Sequence, residues 1–296
     1  MNNSGKASAS ADIKGTNAGV KDRIILTTER VLCYIVLILI TFLCLFSFYV
    51  LIINTTRSHP DIQKGFSFLP GKSFMVNMKN VLANENIPVI KGMFNSLFVA
   101  ACSAVLSVYF SALTAFAIHA YDFKLKKFAF TFILLVMMVP TQVSALGFVK
   151  LIGDWKLLNS YIPLIVPSIA APVVFFFIKQ YMDSVLPMEL IEAARIDGAN
   201  QFQIYWKIFM PIMKPSLILV GVLNMLTVWN DYLGPLIFLQ DRSKYTLALG
   251  LASFKGVHST QIIPMLCITI IMIIPPIIIF IIAQKYIVEG TSGSIK

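Results

Sequence analysis

Charge is what this sequence has least of. Of its 296 residues, 24 are Lys or Arg and 14 are Asp or Glu, 13% in all, about half the share of an ordinary soluble domain. Hydrophobic side chains make up 57% of the chain and its mean hydropathy is +0.80. A soluble globule built this way would expose extended apolar patches, so that class is excluded. A disordered binder is excluded too, since disorder needs low hydrophobicity and high charge. Cysteine is scarce as well. Cys33, Cys44, Cys102 and Cys267 each sit inside an apolar stretch, with no CxxC or Cys/His spacing. They read as small hydrophobes rather than as a disulfide framework or metal site. The histidines, His59, His119 and His258, are scattered near span ends or in loops. No carboxylate stands at ligand spacing from them, so solvated or interfacial roles are expected. The chain has no GxxxxGK[ST] phosphate loop, and no Ser/His, His/Glu or Cys/His set from which a catalytic site would assemble.

What is present is long apolar runs. A helix needs about 20 apolar residues to cross the bilayer core. Six stretches meet or approach that length, near 31–53, 94–118, 128–149, 160–179, 215–239 and 262–284. No charge lies between Arg30 and Arg57, nor between Lys255 and Lys285. The runs are continuous rather than alternating, which excludes a β-barrel. Pro140, Pro163, Pro167, Pro172, Pro235, Pro275 and Pro276 fall within them, as packed membrane helices tolerate. The fold class is an all-α membrane protein of six transmembrane helices. Residues 1–29 read as a polar, mobile tail, 30–286 as the six-span domain, and 287–296 as a second tail.

The net charge of +10 is distributed between the spans. Nucleic-acid binders cluster their charge on polar surfaces instead, so a bilayer is expected here and no nucleic acid. An even number of spans places both termini on one side. With that side cytoplasmic, 14 of the 24 Lys and Arg face inward, the sign that positive-inside topology requires.

The loop 183–215 reads as a helix–turn–helix outside the membrane, between spans four and five. Pro187 suits a first helical turn. Glu189 and Glu192 stand early in Met188 to Ile196 and Arg195 late, as the helix dipole favours. Gly198 supplies a left-handed cap. A second amphipathic helix covers 201–210, and Pro211 stops it or kinks it into the next span. The pair is either a docking knuckle for a soluble partner or a connector resting on the lipid interface.

Glu192-Ala193-Ala194, then Gly198, then Ile208 and Pro211, resembles the EAA motif of ABC importer permeases: Glu-Ala-Ala, three residues, Gly, nine residues, Ile-x-Leu-Pro. Met210 replaces Leu, a volume-conserving swap. Asn95-Ser96-Leu97, Met138-Val139-Pro140, the run from Trp229 to Phe238 and Gly290-Thr291-Ser292-Gly293 are similar to the maltose-type carbohydrate subfamily. The likeness covers about 95–293.

The resemblance implies a half-pore in the cytoplasmic membrane of a prokaryote, with both termini cytoplasmic. Its partners would be a second permease, a dimer of an ABC ATPase carrying ATP and Mg, and an external solute-binding protein that delivers a sugar. The chain would bind no cofactor and catalyse nothing. Glu192 would contact the ATPase, Ala193 and Ala194 would permit close packing there, and Gly198 would set the turn. The loop 240–261 would reach the binding protein through residues such as Phe254 and His258, or serve as an ordinary connector. A permease for a non-sugar solute, such as a polyamine, an amino acid or an organic phosphate, is the alternative. An ion-coupled secondary transporter fits less well, because it would show several intramembrane ionisable groups.

This chain shows a single acid in the expected spans, Asp231. It either lines a sugar path with Asn224, Trp229, Asn230 and Tyr232, or holds helix geometry near the outer interface. About 16 residues beyond Pro215, it lies some 24 Å along the helix at about 1.5 Å per residue, beyond the midplane, which favours the structural role.

Overall fold

The computed structural model describes the backbone of residues 4–84, 87–254 and 261–292, and the side chains of 29–84, 87–140, 143–254 and 261–288. Among the described residues there is no β-strand. In chain order the helices are α1 (Ser4–Thr55), α2 (His59–Gln63), α3 (Phe74–Leu82), α4 (Val89–Ala120), α5 (Lys126–Met137), α6 (Thr141–Asp154) and α7 (Ile162–Ile165). They continue as α8 (Pro172–Val185), α9 (Met188–Ile196), α10 (Gln201–Ile204), α11 (Met210–Asn230), α12 (Leu233–Phe238), α13 (Leu247–Ser253) and α14 (Ile262–Ser292).

The chain forms two compact units, 1–72 and 73–296. In the first, α1 already runs through residues 4–23, where a mobile tail is expected. No proline interrupts this segment, and a long apolar helix below it removes the cost of nucleation. Beyond α1 the chain turns around Arg57. Arg57 is 7% exposed, and its guanidinium donates to the carbonyls of Gly65, at 2.8 Å, and Asp61.

In the second unit α4 is the hub, packed by α8 and α11, and α11 also packs on α14. The buried face of α4 carries Ser96, Ala100, Ser103, Ala104, Ser107 and Ser111. Such small side chains let helices approach closely where no hydrophobic effect drives them together. A core cluster lies at each end of α4. One joins Phe116 to Ile178, Met182, Ile191, Phe209 and Met213. The other joins Val89 and Ala100 to Trp229, Leu247, Phe254 and Cys267.

Among the described residues five helical segments are long and apolar enough to cross a membrane: Glu29–Thr55, Val89–Ala120, Ile162–Val185, Gln201–Asn230 and Ile262–Val288. The third expected span, 128–149, is instead two helices of 12 and 14 residues broken at Pro140. Proline lacks the N–H for the ladder and drives the preceding residue out of the helical region. The fifth expected span also differs. Its helix ends at Asn230, and Asp231 is extended (ψ 122°) ahead of the separate α12. Pro211 does not stop the second helix of the knuckle. A π turn at Tyr205–Phe209 joins α10 to α11 without a break, and Pro211 lies just past it, in the first turn of α11. At the far end, α14 continues to Ser292, past the boundary expected at 286.

Candidate functional site

The knuckle is built by local capping chemistry. α9 ends in a Schellman motif: the Ala199 amide donates to the Ala194 carbonyl (3.0 Å) and the Gly198 amide to that of Arg195 (3.1 Å). Gly198 has φ +81°, the left-handed conformation expected of it. Asn200 then starts α10 with a capping box. Its Oδ1 accepts from the Gln203 amide, and Gln203 Oε1 accepts from the Asn200 amide, both at 2.9 Å.

The two faces of the knuckle differ sharply. Ile191, Ala194, Ile204 and Phe209 are buried in the core cluster, and Ile208 packs against it. Glu189, Glu192, Ala193 and Pro211 are exposed. Ile196 is 86% and Phe202 72% exposed. The alanine pair is therefore divided. Ala193 belongs to the outward edge, whereas Ala194 packs inside this chain.

The end of α4 is tied to the knuckle by hydrogen bonds. Arg195 Nη2 donates to the Ala120 carbonyl at 2.7 Å, and its guanidinium lies over the Tyr121 ring, 5.8 Å from the centroid. The Tyr121 hydroxyl donates to Gln201 Oε1 at 3.0 Å. His119 pairs through Nδ1 with Asp183 Oδ1 (3.1 Å) and through Nε2 with the Leu186 carbonyl (3.0 Å). Its side chain is only 11% exposed, so of the solvated and interfacial roles expected the solvated one does not hold, and His119 is a helix-to-helix tie. Lys179 bonds the same Asp183 oxygen. Among the described residues no group of acids, histidines and cysteines could hold a metal ion.

The second set of candidates disperses. Asn224 faces α4, its Nδ2 donating to Ser107 Oγ at 2.9 Å. Trp229 is 2% exposed, and its indole N–H bonds the Met272 carbonyl at 3.2 Å. It is a core residue locking α11 to α14 and presents no ring face to a ligand. Asn230 is exposed, with Nδ2 on the Leu226 carbonyl at 2.8 Å. Asp231 is exposed and accepts from the amides of Leu233 (3.0 Å) and Gly234 (3.3 Å), bracing the start of α12. Asn230 and Tyr232 edge a cavity of about 570 Å³ shared with Tyr245, Ser253 and Met265. Phe254 is 6% exposed in the core, so it does not reach outward. His258 and Gly293 lie outside the described residues.

Several contacts are not legible in the sequence, although Asn95 and Ser96 stand among the residues that carry the resemblance. Asn159 (φ +57°) is a hub for the chain after α12. It donates to the Phe238 carbonyl at 2.7 Å and accepts from the Asp241 amide and the Lys244 ammonium. Asn95 Nδ2 reaches the Ser243 and Tyr245 carbonyls, and Ser96 Oγ accepts from the Leu247 amide. The spacing of Asn200 and Gln203 was a legible capping signal, whereas Asn159 had no local signature.

Three comparisons bear on this arrangement. A family model described as "binding-protein-dependent transport system inner membrane component" matches residues 107–292. The arabinooligosaccharides transport system permease protein AraQ of Halalkalibacterium halodurans is 36% identical over 68% of this chain and 72% of its own length. The lactose transport system permease protein LacG of Rhizobium radiobacter is 30% identical over 89% and 95%. The sn-glycerol-3-phosphate transport system permease protein UgpE of Yersinia pestis is 30% identical over 90% and 97%. A chain from the crystal structure of a bacterial ABC transporter involved in the import of the acidic polysaccharide alginate superposes with a TM-score of 0.73 at 22% identity, over 88% of this chain and 97% of that one. At that identity the likeness speaks for the fold.

Proposed function

The chain belongs to the binding-protein-dependent transport system inner membrane components, and from that premise we propose that it forms half of the path by which an ATP-driven importer takes up a sugar or oligosaccharide. The relatives named for arabinooligosaccharides and lactose support the substrate class. The complete assembly would add a second, similar permease, an ATPase dimer and an external binding protein. ATP and Mg would belong to the ATPase, and this chain would be the moving part.

The observation that carries the reading is the two-faced knuckle. Glu192, Ala193, Ile196 and Phe202 form an outward edge of mixed acid and apolar groups, on helices whose other face is rooted in the core. An exposed apolar edge rimmed by charge suits a protein partner. Gly198 holds the turn rigid, so a push on α9 reaches α4 through Arg195 and α11 through the continuous α10–α11 helix. Rigid elements with two arrangements are the usual carriers of such coupling. In this reading both termini and the knuckle are cytoplasmic, and α5 with α6 together complete a sixth crossing.

On the opposite side, Asn230 and Tyr232 at their cavity offer an amide and an aromatic ring to a sugar, while Asp231 braces the backbone between them. The relative named for sn-glycerol-3-phosphate favours a second reading, a small phosphorylated polyol as cargo. Uptake into vesicles carrying the chain with its co-purifying partners and ATP tests both. ATP- and partner-dependent accumulation of sugar is expected; accumulation of the polyol phosphate alone selects the second reading. Uptake by this chain alone under an ion gradient would overturn them both.

A further inference from the structure

The turn that follows α1 carries an apolar segment with no core of its own. Residues 65–70 read Gly-Phe-Ser-Phe-Leu-Pro, bracketed by Lys64 and Lys72. Phe66 is 55%, Phe68 62% and Leu69 76% exposed. In water this would be a costly arrangement. The segment does not extend away from α1; it folds back along it. The Phe66 and Phe68 rings pack edge to face at 4.6 Å and lie 6.0 and 6.4 Å from the ring of Phe46. The Tyr49 hydroxyl donates to the Phe68 carbonyl at 2.5 Å.

Those contacts fix the depth of the segment. The apolar run of α1 ends near Ile53, so Tyr49 stands about 6 Å and Phe46 about 10 Å inside that end at about 1.5 Å per residue. Tyrosines favour the headgroup boundary. Tyr49 marks that level, and the two phenylalanine rings reach the first turn beneath it. Part of the polar backbone is provided for, in the direction that a lipid boundary requires. Arg57 donates to the Gly65 carbonyl, Ser67 Oγ accepts from the Leu69 amide (3.1 Å), and Thr56 Oγ1 accepts from the Gly71 amide (2.7 Å). Lys64, paired with Asp61 at 3.2 Å, stays at the polar end.

We propose that Phe66, Phe68 and Leu69 form an interfacial anchor that inserts among the acyl chains of the leaflet at the C-terminal end of α1, continuing the lipid-facing surface of that helix. The anchor pins the loop after α1 to the bilayer and fixes the depth and tilt of that helix.

The test uses the full chain in phosphatidylcholine–phosphatidylglycerol vesicles, with Phe68→Trp and, separately, Leu69→Trp. Each is compared with the parent, so that only the emission of the added indole is read. Loss of most of that emission to lipids brominated near the top of the acyl chain, with none to aqueous iodide, is the expected result. Quenching by iodide would place the segment in water and overturn the proposal. Indifference to both quenchers would place it against protein and overturn the proposal equally. Leu69→Trp replaces the most exposed side chain of the three and keeps the test available if the Phe68 variant does not fold.

Discussion

Arg195 in α9 donates to the backbone carbonyl of Ala120, the last residue of α4, at 2.7 Å. A side chain of the knuckle thus caps the C-terminal end of the most central helix, where a cation also complements the helix dipole. Whatever displaces α9 must move α4 or break this bond. Replacing Arg195 with Met keeps much of the stem and removes the donor. A loss of about 2 kcal/mol is expected for a charge-assisted hydrogen bond, read as a lower melting temperature of the purified protein. An unchanged melting temperature would show that Tyr121 and Gln201 hold the junction without it.

Gly198 at φ +81° is a conformational requirement. Gly198→Ala should cost about 1–2 kcal/mol for a left-handed residue with a Cβ, and Gly198→Asn less, since Asn tolerates that region. No atom lies within 4 Å of an added Cβ, so any penalty is backbone strain and not a clash. Thermal unfolding of the two variants side by side separates the cases; equal stability would discount strain.

Glu192 is exposed on the outward edge, away from the core that holds α9. Glu192→Ala should therefore leave the melting temperature unchanged while lowering ATP-dependent uptake and ATPase association. If transport and association both persist, the docking assignment fails.

Asp231 and Gly234 are a matched pair. A Cβ on Gly234 would come within 2.7 Å of Asp231 Oδ2, pushing the carboxylate off the amides that it braces. Asp231→Asn keeps an acceptor and should be near neutral, while Asp231→Ala should cost about 1 kcal/mol, as for a lost helix-start cap. A folded Asp231→Asn variant with selectively lost sugar affinity would contradict the structural role.

The turn after α12 should respond to acid. The Ser243 amide, 2.8 Å from Asp241 Oδ1, and then the Ser243 hydroxyl hold the Asp241 carboxyl below the ordinary 3.8. A depressed carboxylate stabilises the turn above its unfolded value, and the benefit is lost as pH falls through the folded value. Amide exchange at Ser243 should be protected at neutral pH and become faster, relative to neighbouring amides, only under strong acid. Relative exchange that does not change with pH would remove Asp241 as the anchor.

The sequence by itself determined the membrane class, the helical content and the outline of the knuckle. Each follows from length of apolar run or from chemistry within one turn, such as Gly198 after Ile196. Depth along the expected fifth span suggests a structural role for Asp231, and in the structure that residue stands at a helix break. Tertiary structure decided the rest, because burial and pairing depend on which distant residue arrives. His119 reads as a solvated or interfacial residue until α8 brings Asp183, 64 positions away, to its ring. Trp229 looks like a sugar platform until α14 covers its face and supplies the Met272 carbonyl. Ala193 and Ala194 are neighbours of the same type, and only the packing of α9 into the core cluster turns one outward and the other in. A 3.6-residue period says that a helix has two faces; which face meets protein is settled by the surface it lands on.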